Sequence, residues 1–235
     1  MNSVPAGVWS RSRFTFLLVA FLLLLVAIPV ANIVSHPVTA KAIINILFLT
    51  LLVVGGLSTG RRASSRYVVV SLAAVAALLR FWAYISASSV AEAGAYVTAL
   101  AILGTVAVLT IRELLTGDAV TYDKLSASLC AYGILAIFWA AAFSLLEVLQ
   151  PGAFQYLSAA DSAQGMQFGF GQSTQALYFS LVTITTLGYG DIVPTSDMAR
   201  LMAATEAFTG QAYIAILVAR LVGLHIASVS NSARN

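Results

Sequence analysis

Hydrophobic residues in this chain occur in long unbroken runs, and they do not alternate with polar residues as they would in half-buried strands. A helix needs about 20 apolar residues to cross the hydrocarbon core of a bilayer. Runs that approach or exceed this length are predicted to be transmembrane helices at Phe14–Val34, Ala42–Leu57, Tyr67–Ala87, Ala93–Leu114, Leu125–Leu149 and Met198–Leu224. The predicted fold class is therefore an all-α membrane protein with six transmembrane helices.

A further apolar segment, Ser173–Thr185, is too short to cross the membrane and precedes a stretch with two glycines. It predicts a re-entrant helix between the last two spans. The most polar internal stretch divides the chain. We predict a four-helix domain at 1–115, a cytoplasmic linker at 116–124, a second domain at 125–228 and a short tail at 229–235.

Composition supports the membrane assignment. The chain is 60% hydrophobic and 9% charged, whereas a soluble domain carries about 25% charged residues. The lipid bilayer is thus the predicted main solvent. The net charge of +3 comes without a basic block, so no nucleic-acid partner is expected. The single cysteine, Cys130, cannot form an intrachain disulfide and is predicted to pack as a small apolar residue.

Basic residues favour cytoplasmic loops, and here they lie mainly on one side of the predicted spans. They are Arg11, Arg13, Arg61, Arg62, Arg66, Arg112, Lys124, Arg220 and Arg234. This pattern predicts a multi-pass protein of the plasma (cell inner) membrane with both termini cytoplasmic. The first span has an alternative interpretation as a signal peptide, but its run exceeds the 7–15 residues or so of a signal core.

The segment Thr183–Asp191 reads Thr-Ile-Thr-Thr-Leu-Gly-Tyr-Gly-Asp. Glycines at 188 and 190 allow backbone conformations that other residues avoid, so successive carbonyls can face the same side. A ring of such carbonyls can replace the hydration shell of a cation. The segment resembles the selectivity filter of potassium channels, and the predicted layout resembles the six-span tetrameric cation-channel superfamily.

The resemblance implies roles for the filter residues. Potassium ions would bind the backbone carbonyls of Thr186, Leu187, Gly188 and Tyr189, Gly190 would complete the filter, and the Thr186 hydroxyl would add the innermost ring. At the outer mouth, four copies of Asp191 would concentrate cations. One chain carries one copy of the motif, so the implied partner is the chain itself, as a homotetramer. Potassium is then the permeant ion, and no cofactor is expected.

Two positions depart from the common family pattern. Tyr178-Phe179 stands where many relatives have a tryptophan pair, and Leu187 replaces the commoner valine or isoleucine. The Tyr-Phe pair also occurs in two-pore-domain channels. Both changes leave the predicted carbonyl chemistry of the filter intact.

The last span carries Gly210, which resembles the hinge glycine of the family's inner helix. Close packing against a neighbouring helix explains a glycine there equally well. Helical spacing from Gly210 leads to candidates for an apolar cavity wall and a lower constriction. These candidates are Ile214, Val218 and Leu221, with the adjacent Gln211 as a polar cavity residue.

Glu147 and Glu206 lie within predicted spans, where acidic side chains are costly and are therefore functional candidates. Glu147 is near the outer end of the fifth span and resembles an acid that ties the outer helix to the pore loop. Glu206 lies one turn before Gly210. It either hydrogen-bonds behind the filter or titrates and makes the channel pH-sensitive, and the sequence leaves both interpretations open.

The first four spans lack the arginine series of a voltage sensor. The fourth span carries only Arg112, at its cytoplasmic end, and Arg80 lies in the third. Since each charge moved across the field is worth about 2.3 kcal/mol per 100 mV, weak or absent voltage gating is expected. The chain shows no nucleophile triad, metal-ligand cluster or phosphate loop, so it is predicted not to be an enzyme.

These observations predict a potassium-selective channel that conducts passively. Two alternatives remain: a non-selective cation channel of the same fold, and a non-conducting membrane subunit or a component of a potassium transporter. A full filter in a single repeat favours the channel.

Overall fold

The computed structural model describes residues 88–115, 122–157 and 173–232, with residues 15, 18–23, 25–27, 75, 78 and 82 from earlier in the chain. The helices and strands of the three longer stretches are α1 (Ser89–Leu115), α2 (Tyr122–Leu149), β1 (Phe154–Tyr156), α3 (Ser173–Ile184), β2 (Ile192–Pro194) and α4 (Asp197–Ser232). Three of these helices, α1, α2 and α4, are long and apolar enough to cross a membrane. The chain is a membrane protein.

Helix α2 lies at the centre of the described fold and packs against α1, α3 and α4. Small residues line its contact with α1, which allows the two backbones to approach closely. For example, Gly104 of α1 faces Phe138 of α2, where an added Cβ would be 3.6 Å from the ring. Buried residues on these two helices include Ala95, Ala99, Ile102, Leu103, Val106, Cys130, Ala131, Ile134 and Ile137.

The first predicted span also reaches α2. Its described residues between 15 and 27 are helical, and Phe21 is buried in the same core. The Phe21 ring lies so close to Gly133 that a Cβ at Gly133 would be 2.7 Å from ring atom Cε1. A glycine at 133 therefore makes room for this aromatic side chain.

Hydroxyl groups within the apolar helices are satisfied locally. Thr105 and Thr110 of α1 donate to carbonyls one turn earlier, at 2.7 and 2.8 Å, and Ser144 of α2 does the same at 2.8 Å. An unpaired hydroxyl in an apolar medium is unfavourable, so this pairing lets threonine and serine occupy membrane helices.

Strands β1 and β2 form a small antiparallel sheet that pairs Phe154 with Pro194 and Tyr156 with Ile192. The all-α prediction missed this sheet, because three-residue strands are too short to produce an alternating pattern. The pairing continues beyond the strands, since the Leu157 amide donates to the Asp191 carbonyl at 2.9 Å. The sheet thus attaches the segment after α2 to the segment after the glycine-rich motif.

The helices extend past the predicted apolar runs. Helix α1 begins at Ser89 rather than Ala93, and α2 begins at Tyr122, inside the predicted linker 116–124. Helix α4 continues to Ser232 instead of ending at Leu224, so it includes part of the predicted tail 229–235. Hydropathy locates the part of a helix in lipid, whereas backbone hydrogen bonding continues into polar sequence.

Several predictions fall outside the described residues. The second span and nearly all of the third lie there, as do residues 116–121 of the linker and residues 158–172 of the outer loop. The six-span layout and the division into domains therefore stay predictions.

Candidate ion-conduction site

The glycine-rich segment after α3 has an alternating backbone. Thr186, Gly188 and Gly190 have positive φ angles of 57°, 61° and 77°, whereas Leu187 and Tyr189 do not. Glycine adopts such angles readily, but a β-branched threonine does so only at a cost of about 1–3 kcal/mol. Backbone strain of this kind persists where the surrounding structure enforces it, commonly at functional sites.

The amide groups of this segment point back to the re-entrant helix. The Thr185 amide donates to the Leu181 carbonyl at 3.2 Å, and that of Thr186 to the Thr183 carbonyl at 2.9 Å. The next two amides, of Leu187 and Gly188, both donate to the Val182 carbonyl, at 2.9 and 3.3 Å. The position of α3 therefore fixes the position of this strand.

The carbonyl oxygens of the same strand, unlike the amides of residues 185–188, lack hydrogen-bond partners among the described residues. None of those from Thr186 to Gly190 accepts a hydrogen bond from the part of the chain that the structure describes. Exposed backbone carbonyls of this kind are free to bind water or another ligand. The strand is open in a single protomer, where the Leu187 and Tyr189 side chains are 56% and 67% exposed. The segment thus offers successive unpaired oxygens along one strand.

Asp191 is held at the end of the strand by two hydrogen bonds. Its Oδ2 accepts one from the Tyr178 hydroxyl at 2.7 Å, and its Oδ1 accepts another from the Ile192 amide at 3.1 Å. Tyr178 lies on re-entrant helix α3, so its phenol supplies a donor although the indole pair of many relatives is absent. The hydrogen bond to Asp191, with smaller contributions from burial and neighbouring charge, raises the pKa of Tyr178 to about 12, and the phenol remains a donor at neutral pH.

We expect Tyr178→Phe to weaken the attachment of Asp191 to α3. Hydrogen bonds to charged groups contribute about 1.5–3 kcal/mol, and solvent exposure of this pair reduces the expected loss to about 1 kcal/mol per protomer. Thermal unfolding of Tyr178→Phe, Asp191→Asn and the double variant measures the coupling between the two residues. Strictly additive losses would contradict a direct interaction.

Gly210 of α4 packs against the end of α3. A Cβ added there would lie 2.6 Å from Ile184 Cγ1 and would collide with the Ile184 carbonyl oxygen. The Tyr132 hydroxyl of α2 donates to this same oxygen at 2.9 Å. Of the two interpretations of Gly210, the geometry provides a direct reason for close packing, because only glycine lets α4 approach the helix that carries the filter strand.

Residues 134–225 match a family model described as Ion channel. This part of the chain is similar to an ion channel domain. The match begins within α2 and ends within α4, so it contains the re-entrant helix and the whole glycine-rich segment.

Curated relatives confirm the resemblance to potassium channels. The chain is 48% identical to Two pore potassium channel a of Oryza sativa subsp. japonica over 46 residues, 20% of this chain and 13% of that protein. It is 37% identical to Two pore potassium channel b of the same organism over 76 residues, 32% of this chain and 21% of that protein. Identity to Two-pore potassium channel 1 of Arabidopsis thaliana is 49% over 45 residues, 19% of this chain and 12% of that protein.

The matches thus cover about a fifth or less of each relative's own length. No solved structure matches the chain.

Three aromatic rings join α2, β1 and α3. Phe143 of α2, Phe154 of β1 and Phe179 of α3 have ring centroids 5.1–5.3 Å apart and meet edge to face. All three side chains are buried. Edge-to-face pairs add about 0.5–1.5 kcal/mol each beyond burial. The cluster therefore anchors α3, which precedes the glycine-rich strand, to α2 and β1.

Glu147 lies at the end of α2, and its Oε1 accepts a hydrogen bond from the Gly152 amide at 2.7 Å. Gly152 has a φ of 85°, and its carbonyl accepts a hydrogen bond from the Thr195 hydroxyl at 2.6 Å. The acid is thus connected through one glycine to the segment that follows β2. This arrangement places Glu147 beside the turn at Gly152, which follows α2.

Glu206 is fully buried, with 0% exposure, and lies on the face of α4 that meets α3. Its Oε1 forms a hydrogen bond with the Ser180 hydroxyl of α3. The contact with α3 agrees with the interpretation of Glu206 as a hydrogen-bonding residue, and it does not decide whether the carboxyl group also titrates.

The remaining candidates belong to α4. Gln211, Ile214 and Val218 are exposed in the single protomer, and Leu221 belongs to the same helix. Their proposed cavity and constriction roles depend on how copies of the chain assemble.

Ser180 and Tyr132 contribute to the site, and sequence reasoning missed both. A serine within the apolar run Tyr178–Ile184 was a usable signal, since a buried hydroxyl needs a partner. For Tyr132 no such signal existed, because a tyrosine in a membrane helix is commonly an interfacial residue.

Proposed function

We infer that this protein is a potassium-selective channel that conducts K⁺ passively through a filter built by four copies of the chain. The observation that carries the proposal is the hydrogen bonding of the glycine-rich strand. The amides of Thr186, Leu187 and Gly188 donate to carbonyls of α3, whereas the carbonyl oxygens of residues 186–190 accept no hydrogen bond from the described residues. Such oxygens, presented in succession, can replace the water shell of a dehydrated K⁺. The proposed ion sites are at Thr186, Leu187, Gly188 and Tyr189.

The proposed tetramer follows from the single filter strand. One strand supplies oxygens on one side of an ion only, so closed rotational symmetry is needed to surround it. The exposure of α4 supports this arrangement, since 11% of its apolar stretch is buried within one protomer, against 56% for α2. In the assembly, Asp191 would ring the outer mouth, and Gln211, Ile214, Val218 and Leu221 would line the inner cavity.

The proposed channel is weakly or not voltage-gated and lies in the plasma membrane with both termini cytoplasmic. Helix α1, the fourth predicted span, carries Arg112 in its last turn and Glu92 in its first. These charges suit the ends of the helix dipole and do not form a series that could move through the field. A conductance–voltage relation as steep as that of a voltage-gated channel would contradict this part of the proposal.

Ion flux from liposomes that contain the purified protein tests the function. We expect K⁺ and Rb⁺ to pass, Na⁺ to be excluded and Ba²⁺ to block. Empty liposomes prepared in parallel control for leak. Equal K⁺ and Na⁺ fluxes would favour a non-selective cation channel, and absence of flux under all conditions would favour a non-conducting subunit.

A further inference from the structure

A buried hydrogen-bonded chain joins three helices behind the filter. The Ser180 Oγ of α3 is 2.7 Å from the Ala136 carbonyl oxygen of α2 and also within hydrogen-bond distance of Glu206 Oε1 on α4. Ser180 and Glu206 both have 0% exposure. Two acceptor oxygens therefore face one serine hydroxyl in a place that water does not reach in the protomer.

The number of available protons decides the protonation state of Glu206 in these hydrogen bonds. A serine hydroxyl donates one proton, and a backbone carbonyl only accepts. If Glu206 were ionised, its carboxylate and the Ala136 carbonyl would compete for the single Ser180 proton, and one pair of oxygens would face each other without hydrogen. If Glu206 is protonated, Oε1–H donates to Ser180 Oγ, and Ser180 donates to Ala136. Only the protonated form satisfies both contacts.

The surroundings favour the same form. The second carboxyl oxygen, Oε2, is buried without a hydrogen-bond partner. Among the described residues Oε1 bonds the Ser180 hydroxyl and no basic side chain hydrogen-bonds to either carboxyl oxygen of Glu206, so a negative charge there would lack a directly bonded cation. An uncompensated buried carboxylate is far more costly than a neutral acid.

The chain of hydrogen bonds bears on the filter through α3. Ser180 lies two residues before Val182 and three before Thr183, and the carbonyls of these two residues accept the hydrogen bonds of the filter amides. Glu206 lies one turn before Gly210, which packs on Ile184. A shift of α3 relative to α2 and α4 would therefore move the filter strand itself.

We propose that Glu206 is held as a neutral carboxylic acid whose proton latches α4 to Ser180 of the re-entrant helix and thereby positions the filter. Loss of this proton breaks the hydrogen bond between Glu206 and Ser180, so conduction depends on protonation at a site outside the ion pathway. Glu206 is thus a positioning residue. The conduction part of the proposal rests on the proposed channel function, whereas the placement of the proton does not.

Other titratable groups face this region from each packed helix. Helix α2 contributes Tyr132 and Cys130, α4 contributes Tyr213, and α3 contributes Tyr178, whose hydroxyl donates to Asp191. The Tyr132 and Tyr213 hydroxyls donate to the Ile184 and Ser128 carbonyls. These phenols and the thiol are unchanged in Glu206→Gln, so comparison with that variant isolates the carboxyl proton.

Infrared spectroscopy of the purified protein in lipid tests the proton directly. We expect the wild type at neutral pH to show the carbonyl band of a protonated carboxyl group, which Glu206→Gln removes and Glu147→Gln leaves in place. Glu147 is the matched control because it is also a buried acid whose Oε2 has no hydrogen-bond partner among the described residues, but its Oε1 accepts a hydrogen bond from an amide and not from a serine hydroxyl. Ser180→Ala should shift the same band, which assigns it even if Glu206→Gln does not fold. Absence of the band in the wild type, or its persistence in Glu206→Gln, would overturn the proposal.

The pH profile of K⁺ flux tests the consequence. Each variant is measured from about pH 6 to about pH 10 and normalised to its own flux at neutral pH. At pH values above the pKa of the carboxyl group, its protonated fraction falls about tenfold per pH unit, and wild-type flux should fall with it. The amide of Glu206→Gln donates at every pH, so its profile should stay flat. Parallel profiles would overturn the positioning role, whereas no flux from the wild type at any pH would refute the channel function and leave the infrared result to decide the proton.

Discussion

Gly210→Ala is expected to abolish most of the K⁺ flux and to lower the thermal stability of the assembled protein. The added methyl group would collide with the Ile184 carbonyl and lie 2.6 Å from its buried Cγ1. Overpacking of this kind costs about 1–3 kcal/mol per site, against a gain of about 1 kcal/mol from the better helix propensity of alanine. Because the obstructing atoms belong to the last turn of α3, relief of the clash displaces the filter.

Gly223→Ala provides the matched control. Gly223 belongs to the same helix, and an added Cβ there meets nothing within 4 Å in the protomer. We expect this variant to keep its flux and to unfold at the same or a slightly higher temperature. The pair also separates the two interpretations of Gly210. A hinge role predicts a Gly210→Ala protein of undiminished stability with altered opening, and that result would contradict close packing.

Gly188→Ala is expected to eliminate selective K⁺ flux, with Na⁺ and K⁺ passing equally or not at all. Gly188 has a φ of 61°, and a side chain in the left-handed region costs about 1–2 kcal/mol per residue. In a tetramer the cost recurs four times around one ring of carbonyls. The strand is expected to relax towards negative φ at this residue, which would turn a carbonyl away from the ions.

Gly152→Ala carries the same backbone penalty outside the filter. Its φ is 85°, and an added Cβ there also meets nothing within 4 Å. Thermal unfolding should therefore show similar losses for the two variants, whereas ion flux should be selective in Gly152→Ala only. Equal K⁺ selectivity in both would contradict the assignment of Gly188 to the ion pathway.

Positive φ at Thr186 illustrates what a motif can and cannot predict. The glycines at 188 and 190 predicted unusual backbone angles, and both residues have positive φ in the structure. The other residue of this strand with positive φ, Thr186, is β-branched, and β-branched residues disfavour that conformation. Hydrogen bonds from the strand to Val182 and Thr183 enforce it, and no local pattern records them.

The two buried acidic residues also show which features the sequence predicts and which only the structure provides. Their position within apolar runs identified Glu147 and Glu206 as unusual, because charge in a membrane helix is unfavourable. Their partners could not be predicted. Glu147 meets an amide of the following turn, whereas Glu206 meets a serine 26 residues earlier in the chain. These partners, and not residue type, give one acid an acceptor role and the other a donor role.

By itself, the sequence determined the solvent and the local structure of this protein. Long apolar runs specify helices in lipid, since every backbone group there must be paired within its own segment. The two glycines at 188 and 190 specify an extended segment after α3, because glycine disfavours the helical conformation. The tertiary structure decided which helices meet and at what distance. Contacts such as Tyr132 with Ile184 and Tyr213 with Ser128 join residues 52 and 85 positions apart. They depend on how whole helices pack against one another, and a local stretch of sequence does not determine that packing.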